Sequence, residues 1–224
     1  MINAIIKRSF KKDCLENKDL AKFGEYCDKK DAEDIVQIEN VFYGIMNAVR
    51  PTELTLKYYT RLIYIYVRQH QLKKRWCEFL LKPEEQQSLL EGAVLVTQWC
   101  GQLSTINEEE IRKNMQEIIS LVENKVAVVK KRYTNAQPLP GEDDITIEAI
   151  NEVLFKELGF HGNNRSYYDV NNSFIDKVLK LHTGIPITLS TIYSAVAKRF
   201  GIHLEPVNFP THFLLRYSSA ASRY

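Results

Sequence analysis

The chain has 224 residues and a mass of 26.1 kDa, enough for one large domain or two small ones and too little for a multidomain assembly. With 45% hydrophobic, 26% charged and 11% aromatic residues it has the balance of a folded globular protein, which excludes disorder over most of its length. Lys+Arg 30 against Asp+Glu 28 leaves a formal charge of +2, far from the basic excess that phosphate-driven binding requires, so no direct nucleic-acid contact is expected.

Cys14, Cys27, Cys77 and Cys100 are too far apart in sequence for zinc-ligand pairs or a redox Cys-x-x-Cys, and read as reduced intracellular thiols. Ile2 to Ile6 is too short for a secretory core, and Leu62–Val67 is too short for a membrane span. A soluble cytoplasmic or nuclear protein follows, with no membrane partner. Residues 1–30 mix eight Lys/Arg with five Asp/Glu and little periodicity, and are expected to form a weakly ordered leader.

A helical domain is predicted over 31–133. Ile35, Ile38, Val41, Phe42, Ile45, Met46 and Val49 recur at three- and four-residue steps up to the breaker Pro51. Leu54–Leu81 carries a second apolar face. Pro83 followed by Glu84 and Glu85 suits the first turn of a third helix reaching Cys100. Asn107 with Glu108, Glu109 and Glu110 reads as a capping box opening a long helix, which Lys130, Lys131 and Arg132 close as a solvated, dipole-complementing end.

Residues 134–144, with Pro138, Pro140 and Gly141, are the predicted linker. Beyond it, helices are expected over Ile145–Leu158 (closed by Gly159), Phe174–Leu181 (opened by Ser173, ended by Gly184) and Thr188–Phe200 (left through Gly201). Two strands, Leu204–Phe209 and His212–Tyr217, join through Pro210, and 218–224 form a tail. The fold class is therefore α+β, mostly α.

The ordered phrases Gly159-Phe160-His161-Gly162-Asn163, Tyr167-Tyr168-Asp169, Asn172-Ser173, Gly184-Ile185-Pro186-Ile187-Thr188-Leu189-Ser190, Glu205-Pro206-Val207-Asn208-Phe209-Pro210 and His212-Phe213-Leu214-Leu215-Arg216 resemble the SirB-type branch of the transglutaminase-like (papain-like) superfamily. Upstream, Leu56-Lys57-Tyr58-Tyr59 and Leu90-Glu91-Gly92-Ala93-Val94 with Gln98-Trp99-Cys100 resemble the middle region of the F-box only protein 21-like family. The resemblance implies a helical bundle followed, over 145–217, by a degenerate transglutaminase-like module. It also implies a substrate receptor of an F-box (SCF-type) ubiquitin ligase whose partners are protein substrates or adaptors.

Three departures shape the functional reading. Pro186 falls where the superfamily's nucleophilic Cys would stand, and proline has neither thiol nor hydroxyl. No orienting acid follows Tyr217, and His212 reads as a hydrogen-bonded structural residue. No F-box phrase occurs in 1–51, and the strand pair ends with an open edge, so the chain is expected to be truncated, lacking the family's F-box and its hemimethylated-DNA-binding-type domain, and able to self-associate. The expected function is a non-catalytic interaction module, with Tyr167, Tyr168, Asn172, Asn208 and His212 as interaction candidates. The alternatives are a hydrolase or acyltransferase using Thr188 or Ser190 with His212, and DNA association through a domain outside this chain. Thr188 is expected as an N-cap and Ser190 as a first-turn residue. His70, His161, His182 and His203 are too scattered for a metal site, and no nucleotide or calcium motif occurs, so neither cofactor nor metal is expected.

Overall fold

A computed structural model describes residues 17–48, 53–101, 106–134, 138–210 and 212–218. The expected breaker Pro51 and the tail beyond 218 lie outside them. The chain divides into two compact units, one ending at Leu81 and the other beginning at Lys82.

The first unit holds α1 (Asn17–Cys27), α2 (Ala32–Ala48) and α3 (Leu54–Leu81). Part of the expected leader is thus helical and packed. Phe23 and Cys27, four residues apart on one face of α1, are fully buried, and Phe23 meets Phe42 of α2 edge to face at 6.2 Å. The dense charges around them hid this short apolar stripe. Asp31 caps α2 by accepting the Asp34 N–H at 2.8 Å, and Ile63, Tyr64 and Val67 of α3 complete the core. Burial pushes the Cys27 thiol up, which keeps it protonated and a poor nucleophile.

In the second unit, Pro83 opens only a single 3-10 turn, Glu84–Gln86, rather than the expected helix. Ser88 is the real cap of α4 (Leu89–Cys100). Asn107 caps α5 (Glu108–Arg132) as expected, accepting the Glu109 and Glu110 N–H groups. The Glu110 carboxylate reaches Lys180 at 2.8 Å, across to another helix.

The expected linker does not separate domains. α5 leads into α6 (Glu142–Asn151) within one unit, because Ile111, Met115, Ile118, Val122 and Val129 of α5 share a core with Ile150, Ile175 and Ile192 from beyond the linker. The boundary near position 81 reflects which apolar faces meet, and Pro/Gly content does not report that. Lys130 pairs with Glu142 at 3.0 Å, and Arg132 reaches Glu148 at 3.3 Å and forks onto Glu152 at 2.8 and 3.0 Å. The basic helix end is exposed, as expected, and also forms an ionic clasp on α6 and the π-helical turn that follows it.

Past Asn151 the helix widens into a π-helical turn, Glu152–Glu157, and closes at Gly159, whose φ of +70° favours glycine. Strand β1 (His161–Gly162) pairs in parallel with β2 (Thr183–Gly184), a contact with no signal in the sequence pattern. Between them lie a 3-10 turn, Val170–Ser173, and α7 (Ile175–Leu181). Phe174, not Ser173, precedes α7, and its first free N–H, that of Ile175, is met by the buried Thr97 hydroxyl of α4 at 3.2 Å. His182, in the left-handed conformation at φ 54°, ends α7 in place of the expected Gly184. Its Nδ1 lies 2.7 Å from the Leu158 carbonyl, a bond that holds this strained backbone.

Helix α8 (Pro186–Arg199) runs through the core, and β3 (Leu204–Phe209) with β4 (His212–Tyr217) forms the expected antiparallel hairpin against it. The fold class is the expected one, mostly helical with small sheets. Among the described residues no helix is long and apolar enough to cross a membrane.

The Arg132 fork holds the Glu152 carboxyl down at about 2, against an ordinary 4.5. A lowered carboxyl stabilises the fold above its unfolded pKa, and that contribution fades as pH falls through the folded value. Urea midpoints measured from pH 6 to 2 are therefore expected to fall more steeply below pH 4.5 in the native chain than in Glu152→Gln.

Candidate functional site

The superfamily's chemistry would require a nucleophile at the start of α8. Pro186 is the first helical residue there, with Ile185 as the cap residue. Proline suits that position, since its fixed φ is helical and its missing N–H would find no partner in the helix. Thr188 is therefore not the cap. It is the third residue of the helix, within the first turn, and is 5% exposed, while Ser190 is the fifth and is half-buried.

What sets the backbone ahead of Pro186 is Asn172, which is 3% exposed. Its Nδ2 donates to the Ser166 carbonyl at 2.8 Å and the Tyr167 carbonyl at 3.0 Å, and its Oδ1 accepts from Asn163 Nδ2 at 3.0 Å. Its own carbonyl accepts the Ile185 N–H at 3.1 Å. Both amide hydrogens and the amide oxygen are engaged, so the group is buried at little cost. Asn172 is consequently unavailable to a partner, a correction to its place among the interaction candidates. Asn163 closes the same loop by accepting the Ser166 N–H, and Asp169 caps the 3-10 turn through the Asn171 N–H.

Gly184 sits under this knot. A Cβ there would lie 2.9 Å from both Val178 methyls and 3.2 Å from the Asn172 carbonyl, so close approach is what requires glycine. The Asn-Asn doublet at 171–172 and the Gly-Ile-Pro phrase were visible in the sequence, but their contact across the loop was not.

His212 opens β4. Burial alternates along that strand, leaving His212, Leu214 and Arg216 exposed while Phe213, Leu215 and Tyr217 are half-buried. Leu215 and Tyr217 pack on the core that includes Ile192 and Val196 of α8. The imidazole thus projects from the strand face opposite α8. Among the described residues it makes no hydrogen bond, which corrects its expected role as a hydrogen-bonded structural residue. Strand period two is the cause: the residue that opens β4 falls on its outer face. Asn208 is exposed opposite Phe213 on the neighbouring strand.

The chemically active groups nearby are quiet ones. Tyr193 of α8 is pushed up to about 12 by burial, donates to Asn151 Oδ1 at 3.1 Å, and stacks on Phe155 of the π-helical turn at 6.1 Å. His161 Nδ1 lies 2.8 Å from the Gly159 carbonyl. Among the described residues no group of His, Cys, Asp and Glu side chains could hold a metal ion. What the loop does present is aromatic surface: Tyr167 and Tyr168 meet edge to face at 5.3 Å, and Tyr168 is 94% exposed.

The order of these parts, a glycine-led strand end, a helix opening at Pro186 and a hairpin on that helix, is that of a transglutaminase-like domain. A family model described as the transglutaminase-like superfamily matches residues 109–223, just over half of the chain, and the chain belongs to that superfamily. It is similar to F-box only protein 21 of Mus musculus, 37% identical over 192 residues that make up 82% of this chain and 31% of the relative. The Homo sapiens protein of the same name is 36% identical over the same shares. A UPF0162 protein of Xylella fastidiosa (strain Temecula1) is 44% identical over 72 residues, 32% of this chain and 26% of its own. The chain spans about a third of the length of the F-box relatives. No solved structure matches it.

Asn172→Ala is expected to lower unfolding stability by about 2–3 kcal/mol, since it strands buried carbonyls. Gly184→Ala should cost about 1–3 kcal/mol by overpacking against Val178. Both are read from urea denaturation, and a Gly184→Ala midpoint equal to the native one would refute the close-approach reading.

Proposed function

We propose that this chain is a non-catalytic protein-interaction module that brings protein substrates or adaptors to a ubiquitin ligase, in the cytoplasm or nucleus. The single observation that carries the non-catalytic half is Pro186 as the first residue of α8. Removal of a nucleophile costs on the order of a millionfold in rate, and Thr188, the hydroxyl residue in the first turn of α8, is buried. The recruiting half rests on the likeness to proteins named F-box only protein 21 over 82% of the chain.

The Asn172 knot suits such a role. It fixes the backbone of a loop whose tip, Tyr167 and Tyr168, faces solvent together with Val170, and a rigid aromatic surface loses little entropy on binding. Asn208 and His212 offer polar groups on the hairpin.

Tyr167→Ser/Tyr168→Ser is expected to leave stability within about 0.5 kcal/mol of native, because both rings are exposed. The same double variant should lose partners that the native chain recovers in quantitative affinity capture. Fluorophosphonate and iodoacetamide-type probes should give no labelling that depends on His212. Labelling abolished by His212→Ala would overturn the non-catalytic reading, and equal recovery by native and double-variant chains would overturn the surface assignment.

A further inference from the structure

The first unit encloses more hydrogen-bond donors than acceptors around one residue of α3. Arg68 is 9% exposed, and its guanidinium carries five N–H groups. Among the described residues that group makes one hydrogen bond, from Nη1 to the Tyr64 hydroxyl at 3.3 Å, and no ion pair. Tyr64 is 2% exposed and, being the acceptor there, still has its own O–H to place. Gln71 adds another donor, since its Nε2 is buried without a partner. The three residues follow at four- and three-residue steps along α3 and so share one face. The acid that acts on Arg68 is Glu39 of α2, half-buried between Ile35 and Phe42 on the stripe that packs into the core, yet beyond ion-pair reach. Burial pushes the Glu39 carboxyl up while Arg68 pulls it down, and its charge in turn helps to push up the Cys27 thiol of α1. Glu39 therefore faces Arg68 without meeting it.

We infer that Arg68, with Gln71 one turn along α3, is a binding site for a carboxylate group, carried by a small organic acid or by a peptide. A buried cation is tolerated when an anion meets it with good hydrogen-bond geometry, and a single neutral phenol does not supply that. The bond to Tyr64 uses Nη1 and leaves the Nε–Nη2 edge, whose two parallel N–H groups match the two oxygens of a carboxylate. The Gln71 amide supplies a further donor from the same face. Charge favours a carboxylate over a phosphate, because Glu39 already stands nearby and a second negative charge on the ligand would be repelled. This inference is independent of the ubiquitin-ligase reading, since it uses only groups of the first unit.

Acetate is the probe, titrated into the 224-residue chain near neutral pH against chloride at constant ionic strength. A saturable shift of one arginine Nε–H signal in NMR is expected, with a matching rise in melting temperature. Arg68→Met identifies that signal by its loss and should abolish the response, while its apolar chain fills the same space. Glu39→Gln removes the repelling charge and should tighten acetate binding at least about threefold. Gln71→Glu places a carboxylate one turn from Arg68, so it should raise the melting temperature and leave acetate nothing to bind. A peptide with a free C-terminus, compared with its amidated form and with acetate, separates the two sources: tighter binding of the free-ended peptide assigns the site to peptides, and equal binding assigns it to small acids. Far-UV circular dichroism confirms that each variant is folded. An Arg68 signal that does not move up to about 100 mM acetate overturns the proposal, and so does a response that survives in Arg68→Met. A response seen only in Glu39→Gln overturns it as well, by showing that Glu39 is the carboxylate Arg68 binds.

Discussion

A buried carboxamide has two N–H donors and an acceptor oxygen, and each needs a partner before the group can leave water. Asn172 does so within one loop: two carbonyls from 166–167, one amide from Asn163, and, through its own backbone carbonyl, the N–H of Ile185. That last bond transmits the loop's order to the start of α8. Without it, the segment between β2 and Pro186 would have no fixed approach to the helix, and Gly184 would have no reason to lie against Val178. The position of the helix mouth, the aromatic tip and the glycine all follow from one side chain being satisfied.

The same site is where the proposed non-catalytic reading rests. A helix N-terminus concentrates free N–H groups and positive potential, which is what makes it a place to activate a thiol. Pro186 takes up one of those positions with a ring that can neither attack nor be activated, and at no conformational cost. The strand that would carry the base is present but turns His212 outward. The scaffold is therefore kept by packing that does not need the chemistry: Ile192, Val196 and Ala197 of α8 are buried to 2% or less whether or not its first residue reacts.

Electrostatics in the second unit join its helices. The basic end of α5 meets three acids of α6 and the π-helical turn that follows it, and the fork from Arg132 to Glu152 is the strongest of these, since it is planar and two-pronged, with the Glu152 side chain 13% and the Arg132 side chain 45% exposed. Thr97 plays the neutral counterpart, donating to the Ala93 carbonyl and accepting the Ile175 N–H, so that α4 caps α7. These ties hold together helices that are separated in the chain by the proline-rich turn, which is why that turn is a poor guide to the domain boundary.

Much of the architecture was legible in the chain because it is periodic or local. The apolar steps over 35–46 and 111–129, the Asn107 cap and the Leu204–Tyr217 hairpin depend on neighbours three, four or two residues away, and occur in the elements that spacing placed there. What failed was everything decided by partners far along the chain. Helix α1 is stabilised by Phe42 and Ile63, which its own charged sequence does not announce. Thr97 caps a helix 78 residues away. Asn172 is chosen for burial by carbonyls that no pattern of residue types can locate, and His212 is turned outward by the inner packing of Leu215 and Tyr217. A sequence fixes periodicity and local hydrogen-bond chemistry; which satisfied groups end up inside is settled only when separate faces meet and exclude water.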